Sequence, residues 1–243
     1  MDRQKTGLAD LHIHTTASDG FATIQEVLDH LAKLKVFNVI AITDHDVLDA
    51  SLWAYSQRSH YAFEIIPGVE VSSADGHVLG LWVTQPIPMG MSLAETVAAI
   101  HEQQGIAILA HPFEITVCSH TFRRYLSQPE VVREAGVDAI EVHNAGTLTP
   151  GSNALARWLA RTLDLPVVGG SDAHSLKAIG RGRTRYPGST EAELRSALLR
   201  KETTAEGQSW PAADYLGLLP HWLETHIPLF AGARKPAAPP HRS

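Results

Sequence analysis

Apolar stretches and helical patterns alternate along most of this 243-residue chain. The apolar stretches lack the alternation of apolar and polar residues typical of a sheet with one solvated face, so they predict strands buried on both faces. Seven stretches have this character, at residues 8–13, 39–43, 64–71, 77–83, 106–110, 137–142 and 166–170. The sequence therefore predicts seven buried strands.

Helix starts can be recognised between the predicted strands. Thr23, Ser92 and Thr190 are each followed by a glutamate three residues later, the capping-box pattern that satisfies free N–H groups at a helix start. Residues 152–164 form a further amphipathic helix pattern. Because strands and helices alternate, the order predicts mostly parallel strands in a closed or nearly closed α/β barrel, with a hairpin near Asp75 as the exception.

The alternation weakens near the end of the chain. We expect one large domain over residues 7–205 and an extension over 206–232 that packs on the barrel. Residues 233–243 are basic and rich in proline and alanine, which is typical of a disordered tail.

The composition of the chain predicts its cellular compartment and excludes some classes of partner. With 20 basic and 26 acidic residues the net charge is −6, so bulk electrostatics do not favour a stable nucleic-acid partner. The single cysteine, Cys118, suits a reducing compartment. No apolar run approaches the ~20 residues that span a bilayer. We therefore expect a cytoplasmic protein with no membrane partner, whose oligomeric state the sequence does not indicate.

Histidine and carboxylate side chains occur at or near the ends of six of the seven predicted strands, where α/β barrels build their sites. Buried imidazoles and carboxylates that converge without a cation would carry a large desolvation cost, and such donors suit Zn²⁺, Mn²⁺ or Fe²⁺. The candidate ligands are His12, His14, Asp19, His45, Glu70, His111, His143, Asp172 and His174. One tetrahedral site takes about four ligands, so this set predicts two or three divalent cations.

The order of these motifs matches a known family. The stretches "DLHIHTTASDG", "AITDHD", "IPGVEVS", "AHPF", "EVHN" and "GSDAH" run in this order from residue 10 to residue 174. Together they closely resemble the PHP (polymerase and histidinol phosphatase) superfamily of metal-dependent phosphoesterases, and within it a standalone branch that acts on nucleotide phosphates, cyclic phosphodiesters and RNA ends. The resemblance implies a distorted (β/α)7 barrel that hydrolyses phosphomonoester or phosphodiester bonds of a small substrate.

One departure from that branch concerns the substrate. Larger members carry an insert after the fourth strand, whereas residues 84–95 here lead directly into the next predicted helix. Contacts that such an insert supplies to a nucleotide are therefore missing from this chain.

The resemblance also implies a site for up to three cations. The ligands implied for the first cation are His12, His14, Glu70 and Asp172. Those implied for the second, which Glu70 would bridge to the first, are Glu70, His111 and His143. Those implied for the third are Asp19, His45 and His174. A hydroxide between the first two cations would attack phosphorus.

Further residues are candidates for catalysis and substrate contact. Asp44, His174 and Arg181 are candidate catalytic residues, with Asp44 placed to orient a ligand histidine or to move a proton. His77, Arg181 and Arg183 are candidates for binding the substrate phosphate. Arg181 matches an arginine common in the family, and a solvated basic loop is the alternative interpretation of both arginines.

Two other functions compete with phosphoester hydrolysis. An amidohydrolase-like barrel that cleaves C–N or C–O bonds usually bridges its metals with a lysine, where this chain offers Glu70, and has no use for the third set of ligands. A non-catalytic metal-binding module is the second rival, although nine ligands exceed what a structural site requires.

Overall fold

The computed structural model describes residues 5–210 and Tyr215, except for the side chains of residues 117 and 118. The described strands are β1 (Thr6–Asp10), β2 (Val39–Ile42), β3 (Glu64–Ser73), β4 (Gly76–Leu81), β5 (Ile106–Leu109), β6 (Ala139–Asn144), β7 (Val167–Gly170), β8 (Gly182–Pro187) and β9 (Thr204–Gly207). The described helices are α1 (Ile24–Leu34), α2 (Asp49–Ser56), α3 (Leu93–Glu102), α4 (Ile115–Ser127), α5 (Glu130–Glu134), α6 (Ser152–Leu163) and α7 (Glu191–Leu199), with a 3₁₀ turn at Arg58–His60.

All nine strands of the described residues belong to one sheet, in the order β7-β6-β5-β4-β3-β2-β1-β8-β9. β1, β2 and β3 run parallel to one another, as do β5, β6 and β7. β4 is antiparallel to both of its neighbours because the chain reverses in a hairpin between Ser73 and Gly76. The predicted hairpin near Asp75 is therefore confirmed.

The sheet curls until β7 meets β8. Gly169 N donates to Thr184 Oγ1 at 3.0 Å, and the same hydroxyl donates to Gly169 O at 2.9 Å. A Cβ at Gly182 would lie 1.9 Å from Gly170 O, so only glycine allows the two backbones to approach this closely. The result is the nearly closed α/β barrel that the sequence predicts.

The helices cover the outside of the sheet. β2 and β5 are buried along their whole length, which explains their unbroken apolar runs. Helix α1 turns Val27, Leu28 and Leu31 toward the core.

The three predicted capping boxes are all present. Thr23, Ser92 and Thr190 each accept a hydrogen bond from the backbone N–H of the glutamate three residues on. The carboxylate of that glutamate in turn accepts from the backbone of the cap.

Two strands were not predicted. β8 pairs antiparallel with β1, and β9 pairs antiparallel with β8. β8 has a buried residue at every second position and arginines at two of its outer positions, which gives it a half-polar pattern. The barrel therefore contains two antiparallel strands beyond the seven expected.

Residues 211–214 and 216–243 lie outside the described residues, and with them most of the expected extension over 206–232 and the whole expected tail. Chain contacts divide the protein into two units, Met1–Trp210 and Pro211–Ser243, and the described strands all belong to the first. None of the described helices combines the length and apolar character that crossing a bilayer requires.

Candidate metal centre

Glu70 is the hub of a cluster of histidines at the carboxyl ends of the strands. It lies in β3, and its residue is fully buried. Its Oε2 is 3.0 Å from His12 Nε2 and 3.2 Å from His14 Nε2. Its Oε1 is 3.0 Å from His77 Nδ1 and 2.9 Å from His111 Nε2. One carboxylate thus faces imidazoles from several different segments.

Asp172 closes the other side of this cluster. Its Oδ1 is 3.1 Å from His14 Nε2 and 3.4 Å from His12 Nε2. The backbone of Asp172 has φ of 51°, a left-handed conformation that Asp tolerates better than most residues. Ser171 holds it there, since its hydroxyl donates to His12 O and its N–H donates to Asp10 Oδ1.

Asp19, in the loop after β1, lies beside the same cluster of histidines. Its Oδ2 is 3.0 Å from His174 Nε2 and 3.8 Å from His45 Nε2, and its Oδ1 is 3.5 Å from His14 Nδ1. His174 Nδ1 donates to Asp172 O at 2.8 Å. In the neutral imidazole this hydrogen bond leaves Nε2 with a lone pair that faces Asp19.

Asp44 is buried beneath that loop. It accepts hydrogen bonds from Thr15 N at 2.7 Å, Thr15 Oγ1 at 2.8 Å and Ser18 Oγ at 2.6 Å. The oxygens of Asp44 hold the loop that carries Asp19, and the side chains that contact them in the described residues are Thr15 and Ser18. The two expected roles of Asp44, orienting a ligand histidine or moving a proton, stay predictions.

Four overlapping groups among the described residues could hold a metal ion, each with ligand atoms within 4.8 Å of one another. They are His12-His14-Glu70-Asp172, His14-Asp19-His45-His174, His12-His111-Glu141 and His45-Glu70-His77. The first group is the set expected for the first cation, and the second contains the set expected for the third. Eight of the nine candidate ligands fall into these groups.

His143, the ninth candidate ligand, lies apart. A bulge between Glu141 and His143 interrupts the pairing of β6 with β7, which breaks the side-chain alternation that the sequence suggests. A Cβ added at Gly207 would lie 2.6 Å from His143 Nε2, so this nitrogen faces β9. The expectation that it stands beside Glu70 and His111 does not match this geometry.

Glu141 and Asn144 occupy the site instead, and sequence reasoning missed both. Glu141 is fully buried; its Oε1 lies 3.0 Å from His12 Nδ1, and its Oε2 accepts from His111 N and from Asn144 Nδ2. Asn144 Nδ2 also donates to Asp172 Oδ2 at 3.1 Å. The signal available in the sequence was an acid inside the apolar run at 137–142.

The residues present fit bound cations. Both ring nitrogens of His12 face carboxylates at 3.0 Å, although a neutral imidazole has a proton on only one of them. Both ring nitrogens of His14 are buried and make no hydrogen bond to any described residue, even though carboxylate oxygens lie 3.1–3.2 Å from Nε2. A cation among these donors satisfies both arrangements.

Without a cation, protons must balance the carboxylates. Burial by itself would raise the pKa of Glu70 and Asp172, but the surrounding histidines, with His12 the largest contributor, lower the pKa of both well below the usual range. Burial would lower the pKa of His14, yet its contacts with Asp172 and Glu70 raise that pKa to about 10. Burial lowers the pKa of His45 to about 4, so this imidazole stays neutral.

The predicted substrate-binding arginines differ in their surroundings. Arg183 Nε pairs with Glu206 Oε1 at 2.7 Å, an ion pair across β8 and β9. Arg181 is half-buried, and its guanidinium makes no ion pair or hydrogen bond with the described residues. Arg181 is thus the available cation of the two.

Family models decide which family these motifs represent. The model named PHP domain matches residues 10–137, more than half of the chain, and the model named PHP-associated matches residues 150–203. The chain belongs to the PHP family. The resemblance found in the sequence is confirmed, and with it the prediction of a metal-dependent phosphoesterase.

Curated relatives of this PHP protein include enzymes of phosphoester cleavage. An uncharacterised protein of Methanocaldococcus jannaschii is 31% identical over 148 residues, which cover 56% of this chain and 81% of the relative. The 3′,5′-nucleoside bisphosphate phosphatase of Chromobacterium violaceum is 30% identical over 134 residues, 51% of this chain and 45% of that enzyme. The 5′-3′ exoribonuclease Rnm of Escherichia coli is 41% identical over 78 residues, 30% of this chain and 26% of that enzyme. The match therefore spans less than half of each of these two enzymes.

Solved structures share the fold. A two-domain protein of Bacteroides vulgatus, named as containing a predicted PHP-like metal-dependent phosphoesterase, has a TM-score of 0.70 at 19% identity, over 86% of this chain and 66% of that chain. The lesion-specific endonuclease of Pyrococcus furiosus has a TM-score of 0.63 at 18% identity, over 88% and 66%. At these identities the likeness supports the barrel architecture.

Proposed function

We propose that this PHP protein hydrolyses a phosphoester of a nucleotide or of a short RNA end, with up to three divalent cations held around Glu70 and Asp19. The observation that carries the proposal is the convergence of buried imidazoles on Glu70, with lone pairs and carboxylates facing one another across the cluster. Manganese, zinc and iron(II) match this mixture of nitrogen and oxygen donors.

The substrate class follows from two considerations. The matched relatives with named activities act, by those names, on a nucleoside bisphosphate and on RNA. The net charge of −6 gives this chain no basic surface for a long polyanion. A small anion bound at the cations and at Arg181 agrees with both, so nucleotides and short RNA ends are the substrates to test first.

Divalent cations lower the pKa of bound water and stabilise the charge of the attacking and leaving oxygens in phosphoryl transfer. The residues of the chain prepare that chemistry by fixing donor directions. Glu141 accepts from His12 Nδ1, and Asp172 O accepts from His174 Nδ1, so the Nε2 atoms of both histidines point at the cluster.

Arg181 and Asp44 take different parts in this proposal. Arg181 binds the phosphate as a cation that no described carboxylate neutralises. Asp44 is a positioning residue, since it holds Thr15 and Ser18 and thereby the loop that carries Asp19.

A phosphate-release assay tests the function. Full-length protein loaded with Mn²⁺ is offered nucleoside monophosphates, 3′,5′-bisphosphates, cyclic phosphodiesters and short 5′-phosphorylated RNA. We expect turnover of at least one class, loss of turnover in Glu70→Gln, and retention in Glu102→Gln, which lies exposed on α3. Fully metal-loaded protein that releases no product from any of them contradicts the proposal.

The same assay separates the amidohydrolase alternative. That class of barrel usually bridges its metals with a lysine, whereas the residue that stands between the imidazoles here is Glu70. Hydrolysis of ester or amide substrates in place of phosphoesters would support the alternative.

A further inference from the structure

We propose that Asp10 is a positioning residue that holds Arg181 where it binds the substrate phosphate, by fastening both ends of the connection between β7 and β8 to the end of β1. This inference rests on the proposed function, because the role of Arg181 as the phosphate-binding cation is part of that proposal. It adds a residue that acts through Arg181 and belongs to none of the potential metal groups of the described residues.

Asp10 is a buried carboxylate that accepts from three backbone N–H groups. It is the last residue of β1 and has no exposed surface. Its Oδ1 accepts from Ser171 N at 3.0 Å and, at a longer distance of 3.5 Å, from His12 N. Its Oδ2 accepts from Gly180 N at 2.8 Å. These N–H groups compensate for the cost of removing the carboxylate from water.

The connection between β7 and β8 has both of its ends on this carboxylate. Ser171 is the first residue after β7, and Gly180 directly precedes Arg181, the last residue before β8. One side chain on β1 therefore closes the connection into a loop. The position of Gly180 in that loop sets the position of the Arg181 backbone.

The first half of the connection, which carries Asp172, is also attached to the chain by other hydrogen bonds. Ala173 N donates to His12 O at 3.3 Å, and His14 N donates to Ala173 O at 2.9 Å. The Ser171 hydroxyl donates to His12 O at 3.1 Å. Since none of these bonds involves Asp10, the residues around Asp172 keep their attachment when Asp10 is changed.

The second half of the connection is attached differently. Its Ala178 N and Arg181 N close turns within the connection itself. Among the described residues, its hydrogen bonds to the barrel run from Gly180 N to Asp10 Oδ2 and from Gln208 N to Arg181 O. Loss of the contact with Asp10 should therefore loosen the end that carries the guanidinium more than the part that carries the metal ligands.

Gly180 offers a way to disturb this contact without changing the carboxylate. Its φ is 78°, in the left-handed region, and an added Cβ would lie 2.6 Å from Cζ of the buried Phe37. An alanine at this position must move away from Phe37 and take its N–H with it. Gly180→Ala and Asp10→Asn thus act on the same hydrogen bond from its two sides.

Phosphate binding measures the consequence. Asn offers one acceptor oxygen, and its amide group would face an N–H donor at the other position. Full-length variants are loaded with Mn²⁺ and titrated with inorganic phosphate, a product of the proposed reaction, in a calorimeter. Arg181→Ala should weaken phosphate binding about 10-fold or more. We expect Asp10→Asn and Gly180→Ala each to weaken it by a smaller factor, about 3- to 10-fold.

A double-mutant cycle separates positioning of Arg181 from a general structural role. If Asp10 acts through Arg181, Asp10→Asn should weaken phosphate binding no further in the Arg181→Ala background. Ser51→Ala is the matched control, because it removes another buried hydrogen bond to a backbone N–H, that of Gly68, and should leave the affinity unchanged. Equal weakening by Asp10→Asn in both backgrounds overturns the proposal.

Metal content excludes an effect through the metal ligands. We expect Asp10→Asn to bind as many equivalents of Mn²⁺ as wild-type protein by elemental analysis, because the residues around Asp172 have attachments of their own. A lost equivalent overturns the proposal and makes Asp10 a support of the metal centre.

The motion of the connection gives a readout that needs neither substrate nor turnover. Lys177 is exposed in the second half of the connection, so Lys177→Cys in a Cys118→Ser chain accepts a nitroxide label there. We expect the electron paramagnetic resonance spectrum to show faster motion of the label when Asp10→Asn or Gly180→Ala is added. Unchanged motion in both contradicts the proposal.

Failure of this inference and failure of the proposed function give different results. Turnover by wild-type protein together with additive effects in the cycle refutes the role of Asp10 alone. Absence of product from every substrate, together with phosphate binding that shows the expected coupling, refutes the phosphoesterase function and leaves Asp10 as a positioning residue of a phosphate site. If Asp10→Asn does not fold, the same cycle with Gly180→Ala decides the question.

Discussion

At the candidate metal centre, a side chain can matter because it fixes the orientation of a neighbouring ligand. Glu141 is buried and contacts His12, His111 and Asn144. It lies on the opposite side of the His12 ring from Glu70, which faces His12 Nε2. The hydrogen bond from His12 Nδ1 to Glu141 selects the tautomer with the proton on Nδ1. His12 Nε2, which faces Glu70 and Asp172, then has a free lone pair. At the scale of a residue, orientation is therefore as much a requirement as ligand identity.

Glu141→Gln tests this requirement. The amide keeps the shape but loses the negative charge that fixes the His12 proton, so we expect Mn²⁺ affinity to fall by about 10–100-fold with the fold retained. Titration calorimetry measures the affinity and circular dichroism the fold. Glu102→Gln on the surface of α3 is the control. Unchanged affinity would show that His12 is oriented without Glu141.

The segments that follow the strands position the residues of the candidate metal centre. The segment after β7 carries Asp172 and His174, and Trp210, which follows β9, secures it. The Trp210 indole Nε1 donates to Ser171 O at 2.8 Å, and its ring lies edge-on to His174 with 5.6 Å between centroids. The antiparallel end of the sheet thereby stabilises a metal-binding segment that leaves a parallel strand.

Trp210→Phe should loosen that segment. The variant keeps an aromatic ring but leaves Ser171 O without its donor, so we expect a loss of about 1 to 3 kcal/mol in the free energy of unfolding. Urea unfolding gives the stability, and the quenching of tryptophan fluorescence by Co²⁺ reports the metal beside Trp210. Trp158→Phe, on the outer side of α6, should keep the quenching. Equal quenching in both variants would contradict the placement of Trp210.

Helix caps also contribute to the stability of single elements, and the cap of α7 does so without contacting the candidate metal centre. Thr190 Oγ1 accepts from Glu193 N at the start of α7, so Thr190→Ala should lower the free energy of unfolding by about 1 kcal/mol. Thr190→Ser keeps the hydroxyl and should restore the stability, as judged by urea unfolding. Phosphoesterase activity at saturating substrate should stay unchanged in both, and a loss of activity would indicate that α7 contributes to the site.

The whole molecule couples folding to the charge of the cluster. In metal-free protein, His14 has a pKa of about 10 when folded against 6.5 when unfolded. A histidine with a raised pKa stabilises the fold fully below pH 6.5, and this stabilisation disappears as the pH rises toward 10. Bound cations replace those protons, so metal binding becomes stronger over the same range.

Metal removal at two pH values tests this coupling. We expect EDTA-treated protein to have a lower Tm at pH 9 than at pH 6.5, and the gain in Tm on adding Mn²⁺ to be larger at pH 9. Differential scanning calorimetry measures both. A metal-free Tm that rises between these pH values would mean that protonated histidines do not balance Glu70 and Asp172.

Much of the architecture could be predicted from local patterns. Seven apolar runs became β1 to β7, and three capping boxes marked the starts of α1, α3 and α7, because burial and capping are properties of short segments. β8 and β9 escaped prediction because their pairing partners lie far away in the sequence and β8 alternates arginine with buried residues.

For the site, the sequence alone determined the chemistry of the donors and their positions at strand ends, which was enough to predict metal-dependent phosphoester hydrolysis. Only the tertiary structure decided which donors meet. A bulge in β6 turned His143 away and brought in Glu141 and Asn144, and the reversed β4 delivered His77 to Glu70. The physical reason is that composition fixes what a side chain can bind, whereas strand register and direction, set by long-range pairing, fix where it points.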